Sequence, residues 1–165
     1  MGKIPIKIMN KELNTLQKIV VFQLEKQQYG VNIKQVNSIE RILDITKIPK
    51  APNFIKGVIH LRGGIIPIID LKERLKFGAT EFKEQTRLII VGIKNLQVGL
   101  LVDSATDVLD IDNSVIDSPS GLIEDDEQSF LKGVAKLGDD LLILLDLKNI
   151  LVSNEISKVK EIVEE

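Results

Sequence analysis

Apolar and polar residues alternate along the chain in short runs, cut by Gly, Asn, Asp or Pro every eight to twelve residues. Tyr29, Val31 and Ile33 share one face of such a run, a period of two that predicts strands rather than helices. Two runs, Ile19 to Leu24 and Leu88 to Ile93, are mostly apolar on both faces. Such strands need cover on both sides, so one face is expected to fill its own small barrel and the other to pack against a second unit. Helical spacing is confined to the end, where Ile156, Val159 and Val163 recur behind Ser153, a capping residue.

The pattern occurs twice. IVVFQLEKQQYGVNI (19–33) aligns with LIIVGIKNLQVGLLV (88–102) at an offset of 69, pairing Gly30 with Gly99. FIKGVIHLRGGIIPIIDLKERL (54–75) aligns with FLKGVAKLGDDLLILLDLKNIL (130–151) at an offset of 76, with nine of 22 positions identical. Shared strand composition does not produce that many identities, so the chain is a duplicated unit. Each copy offers about five strands, which suits a closed barrel because closure removes exposed edges. The organisation expected is an N-terminal extension (1–18), a first repeat (19–80), a second repeat (81–152) and a C-terminal helix (153–165), with strands free to be traded between the barrels.

Composition narrows the chemistry. Apolar residues make up 44% and charged residues 28% of the 165, with a formal charge of -2, which gives no electrostatic reason to expect nucleic acid or an anionic membrane. The absence of cysteine excludes disulfides, thiol catalysis and thiolate metal sites. His60 is the only histidine, so no metal site is expected, and no Ser-His arrangement suggests nucleophilic catalysis. No catalytic residue and no cofactor is assigned. The opening MGKIPIKIMNKELNTLQ is broken by Pro5 and charges before any apolar span develops, so a cytoplasmic protein without membrane insertion is expected.

The duplication is an internal control: positions alike in both copies are demanded by the fold, and positions that differ are free for function. Gly57/Gly133 and Asp70/Asp146 recur, reading as a backbone requirement and as helix caps. Arg62 does not recur, because RGG in the first copy is GDD in the second. The turn is structural, then, and the cation is spare. A phosphate loop is disfavoured, since an apolar strand rather than a helix follows the glycines. Leu101 replaces Asn32 and is expected on the wall of a groove between the barrels, with Ile33 opposite. Pro67, in place of Ile143, predicts an exposed edge or a bulge. The second copy is seven residues longer, in or near DSPSGLIEDDEQS.

The stretches YGVNIKQVNSI, IPKAPNFIKGVIHLRGGIIPIIDL, VGLLVDSATDVLDI and FLKGVAKLGDDLLILLDL together resemble the CheW family of bacterial chemotaxis coupling proteins, over residues 19–151. The resemblance implies an all-β fold of two intertwined five-stranded SH3-like barrels on a shared core. It also implies a non-catalytic adaptor, monomeric in isolation, that joins the cytoplasmic tips of methyl-accepting chemoreceptors to the regulatory domain of the histidine kinase CheA, with rings forming in receptor arrays at the inner membrane. Carried over by position, receptor contacts fall on Val36, Ser38, Arg62, Ala105 and Val108, flanked by Ile33 and Leu101 as groove walls. Kinase contacts fall on Ile42 and Ile45, and a second ring interface on Asp117 and Leu122. Ser38 stands where an acidic residue is expected, Asp117 where a basic one occurs, and His60 where asparagine is common. The alternative from another class is a small β-barrel nucleic-acid binder, for which five Phe, one Tyr and no Trp provide few stacking platforms.

Overall fold

The structure, a computed structural model, describes residues 16–117, 130–151 and 153–164. The first repeat contributes β1 (Leu16–Leu24), β2 (Gln27–Asn32), β3 (Val36–Arg41), β4 (Ile55–Leu61) and β5 (Gly64–Asp70), followed by the one-turn helix α1 (Leu71–Arg74). The second contributes β6 (Arg87–Ile93), β7 (Leu96–Val102), β8 (Ser104–Asp112), β9 (Ile116–Asp117), β10 (Leu131–Leu137) and β11 (Asp140–Leu145), and the chain closes with α2 (Ser153–Glu164).

The sheets regroup these strands. One runs β8-β1-β2-β11-β10-β9 and the other β3-β6-β7-β5-β4, so each barrel takes its first hairpin from one repeat and the rest from the other. The parallel contacts that join the borrowed hairpins are twins: Ile68 lies opposite Gly99 in one sheet and Leu144 opposite Gly30 in the other. The sixth strand, β9, is only a two-residue rung against Val134 and Ala135. Its counterpart in the other barrel is the single bridge between Thr46 and Val58. The fold is therefore all-β, two intertwined SH3-like barrels of the same plan.

The doubly apolar strands explain why the barrels stay together. Val20, Phe22 and Leu24 of β1 and Ile89, Val91 and Ile93 of β6 meet in one shared core. The intervening Ile19 and Val21 fill the six-stranded barrel, while Leu88 and Ile90 fill the five-stranded one. Parting the barrels would return the shared residues to water at about 1.5–3 kcal/mol for each large side chain. Ile156 and Val159 of α2 are buried against the same core. The side chains of Ser153 and Val163 lie outside the described residues.

Positions common to both repeats have common structural causes. Asp70 caps α1, accepting from Glu73 N–H, and its buried carboxylate also accepts from the N–H and Oγ1 of Thr80 at 2.8 and 2.7 Å. Asp146 caps the 3-10 turn Leu147–Asn149 through Lys148 N–H. Each aspartate donates its own N–H to a phenylalanine carbonyl, Phe54 at 2.7 Å and Phe130 at 2.8 Å. A Cβ on Gly57 would lie 2.1 Å from the Thr46 carbonyl oxygen, and on Gly133 3.0 Å from that of Asp117, where the short rung crosses a bulge in β4 or β10. The Phe54 and Phe130 rings clamp the Arg74 guanidinium from two sides at 5.0 and 4.9 Å. Arg74 Nε donates to the carbonyl of Ile150, its own counterpart in the second repeat, and Nη2 reaches Glu155 of α2 at 3.2 Å.

One sequence expectation is corrected and another narrowed. Leu101 does not line a groove: it is wholly buried inside the five-stranded barrel with Leu88 and Ile90. The strand carrying it belongs by sequence to the second repeat but is enclosed by β3–β6, which places its outer face in an interior. Of the two alternatives for Pro67 the exposed edge is excluded, because β5 runs between β4 and β7, while the β4–β5 ladder does carry a bulge one rung away, between Ile55 and Gly57. The ladder to β7 starts one residue later, at Ile68, so the missing N–H breaks no bond there.

Candidate functional site

The outer strands β3 and β8 carry most of the candidates. Val36 pairs with Val91 and Ile39 with Ile89, while Ala105 pairs with Phe22 and Val108 with Val20. Directly opposed residues project on the same face, and all four partners belong to the shared core. Val36, Ile39, Ala105 and Val108 consequently form two strips along the seam between the barrels. Val36 and Ala105 are partly buried against the core, whereas Ile39 and Val108 remain 43% and 44% exposed. They are twin pairs under the offset of 69. Ile33, in the 3-10 turn after β2, is exposed on the turn that touches β6 between the barrels.

Ser38 faces the other way, opposite Ile90 of the barrel interior, and its hydroxyl is buried without a hydrogen-bond partner. An acidic group does stand on the same face two residues further along, Glu40. Its Oε1 lies 3.2 Å from Arg62 Nη2 at the tip of the β4–β5 hairpin. The Arg62 side chain is 71% exposed and Glu40 23%, so the pair adds at most about 1 kcal/mol to stability. Its effect is to hold one arm of a guanidinium while the remaining donors face solvent. Arg62 has φ +50°, a conformation shared with Glu25 and Lys94 on other hairpins and with Gly138 at the counterpart turn. The backbone shape thus belongs to the fold, and the cation is particular to this turn.

The other candidates separate. Ile42 and Ile45 follow β3 and pack, partly buried, on the interior of the five-stranded barrel. Asp117 is exposed on β9 of the other barrel, close to the counterpart of Ile45, since Ile116 meets Gly133 as Ile45 meets Gly57. Leu122 lies outside the described residues. The two groups thus occupy related places on different barrels and do not form one patch. Sequence reasoning misses Ile39 and Glu40. The repeat offset that maps Val108 onto Ile39 is a signal that could have found the first, but none in the sequence links Glu40 to Arg62 across 22 residues.

A polar cleft of about 560 Å³ opens beside the connection between the repeats. Lys72, 8% exposed, reaches into it and pairs with Glu25 at 2.8 Å and Asp103 at 3.6 Å. The hydrogen bond from Lys72 holds the Glu25 carboxyl below its usual value. The same bond raises Lys72 against the desolvation of its burial, with further help from Asp103. Lys26, Lys83 and Glu81 also line the cleft, so three cations stand among three carboxylates, and the Lys72 pairs tie the β1–β2 turn to α1. His60 is exposed on β4, and among the described residues no three potential ligands gather around a metal position. No helix among them is long and apolar enough to cross a membrane.

Known proteins resemble this chain in sequence and in fold. The CheW-like domain family model matches residues 18–155. The chain is 35% identical over 144 residues to the chemotaxis protein CheW of Bacillus subtilis (strain 168), covering 87% of this chain and 92% of that protein. It is 31% identical over 133 residues to the chemotaxis protein CheW of Thermotoga maritima, covering 81% and 86%. The crystal structure of the scaffolding protein TtCheW from Thermoanaerobacter tengcongensis superposes with a TM-score of 0.76 at 40% identity, over 84% of this chain and 94% of that one.

Proposed function

Because the chain belongs to the CheW-like domain family, and is thereby a chemotaxis adaptor, we propose that it couples the cytoplasmic tips of chemoreceptors to the regulatory domain of the kinase CheA without catalysing a reaction. The observation that carries this reading is the seam. Two exposed aliphatic residues, Ile39 and Val108, stand on twin strands over a shared core, and Arg62 is held on the strand bearing one of them. A helical receptor tip fits such a surface through helix-in-groove recognition, with apolar anchors between the strips and the guanidinium meeting a carboxylate or carbonyls at the edge. The kinase domain would use Ile42 and Ile45, and array rings the face bearing Asp117. An interface of ordinary size buries about 800 Å² per partner, so a double barrel has room for separate contacts. The protein would then work in the cytoplasm, recruited to receptor arrays.

The test is a pair of calorimetric titrations, one with a receptor cytoplasmic fragment and one with the kinase regulatory domain. Arg62→Ala is expected to abolish receptor binding, while kinase-domain binding and the Tm stay close to wild type. Equal loss of all three would make Arg62 a structural residue and sink the assignment.

A further inference from the structure

The twin barrels disagree at one more rung. Lys18 of β1 lies opposite Asp110 of β8, and the two form an ion pair at 3.2 Å. The corresponding rung of the other barrel puts Arg41 of β3 opposite Arg87 of β6. Like charges directly opposed on an antiparallel pair are destabilising, whereas the twin shows that the fold accepts a neutral pair at this place. Arg87 is held by backbone acceptors, its Nη1 donating to the carbonyls of Glu84 at 2.8 Å and Thr86 at 2.9 Å. Arg41 is exposed, and its side chain makes no hydrogen bond or ion pair among the described residues. Both line a cleft of about 130 Å³ with Ile42, Lys83, Glu84 and Thr86. Lys83 lies 4.0 Å from the Glu81 carboxylate, and Glu40, the residue beside Arg41, is engaged by Arg62 on the opposite face of β3. Among the described residues, Glu84 is thus the one acid lining the cleft against three cations.

We infer that Arg41 and Arg87 form a carboxylate-recognition site that takes an acidic side chain from the receptor helix. The inference rests on the adaptor reading above and extends it. Arg41 lies on the same face of β3 as Ile39, the exposed end of the apolar strip, so the site is continuous with that surface. Two residues of strand advance about 6.6 Å, close to the roughly 5.4 Å pitch of a helix. A helix lying along β3 can therefore seat an apolar residue on Ile39 and a carboxylate, three or four residues away, between the guanidiniums. Paired guanidiniums suit a carboxylate because their planar forks donate two hydrogen bonds each. The apolar neighbour Ile39, exposed on the same face, favours a side chain of a protein over a free anion.

The test replaces the like-charged rung with one resembling its twin. Arg87→Asp leaves Arg41 paired but gives up the two carbonyl bonds of Arg87, so the Tm is expected to stay within about 3 °C of wild type. It should also weaken receptor-fragment binding about tenfold and flatten its salt dependence. Arg41→Ala should weaken the same binding in the same direction. Because Ile42 adjoins the site, kinase-domain binding should fall for either variant, but by less than receptor binding. Undiminished receptor affinity in Arg87→Asp overturns the inference, as does equal loss of kinase-domain binding. Protection of wild type but not Arg87→Asp by inorganic phosphate, with receptor affinity unaltered, would assign the site to a free anion instead. If wild type takes up no receptor fragment, the adaptor reading falls first and this inference with it.

Discussion

The two barrels share their interior and differ at their rims. Phe54 and Phe130, Gly57 and Gly133, and Asp70 and Asp146 hold the same places for the same reasons. Yet the five-stranded barrel has Arg62 where the other has Gly138, and Arg41 facing Arg87 where the other has Lys18 paired with Asp110. A position kept in both copies answers to packing and backbone geometry. A cation present in only one copy is not required by the common plan and is the better candidate for contact with another molecule.

The largest test of shared structural positions is Gly57→Ala against Gly133→Ala. Gly57 has φ +146° and its Cβ would press on a backbone carbonyl, which cannot move aside as a side chain can. We expect a loss of about 3 kcal/mol or more, against about 1–2 kcal/mol at Gly133, measured by urea unfolding. Equal losses would mean that the closer carbonyl and the positive φ at Gly57 add no strain of their own. Next, Arg74→Ala removes the guanidinium held between the twin phenylalanines, with its bonds to Ile150 and Glu155, from a side chain only 15% exposed. The expected cost is about 2–3 kcal/mol, and a value near zero would show that the two repeats are joined by the apolar core alone.

A smaller effect concerns pH. The lowered Glu25 pKa contributes stability above the ordinary carboxylate range and loses it as pH falls through the lowered value. Lys72, raised from 10.5, contributes fully below that pH and loses its contribution as pH rises through the raised value. Lys72→Met should therefore lower the Tm at neutral pH and flatten both the acid and alkaline falls. An unchanged profile would show that the network does not bear on folding. The smallest effect is expected from Lys18→Ala, under about 1 kcal/mol, because both partners of that ion pair are more than half exposed. A larger loss would undermine the claim that rim charges are free to differ.

Much of this architecture is legible in the order of residues. Side chains apolar on both faces of Ile19–Leu24 already require two interiors, and recurrence alone separates Gly57 and Asp70 from Arg62. The candidate site is less legible. Ile39 follows from the offset linking it to Val108, but Ser38 and Glu40 share a face of β3 and only the hairpin position shows that Arg62 chooses Glu40. Leu101 defeats sequence reasoning because its exposure depends on which strands enclose it.

The sequence by itself determined the duplication, the strand periodicity, the recurring caps and glycines, and the need for a shared core, since each is carried by residues near one another or by the comparison of two copies. Only the tertiary structure decided which hairpin enters which barrel, which carboxylate meets Arg62, and that Arg41 faces Arg87. Those are pairings between strands tens of residues apart, and an alternation of two per strand says which face a side chain takes but not which strand lies beside it.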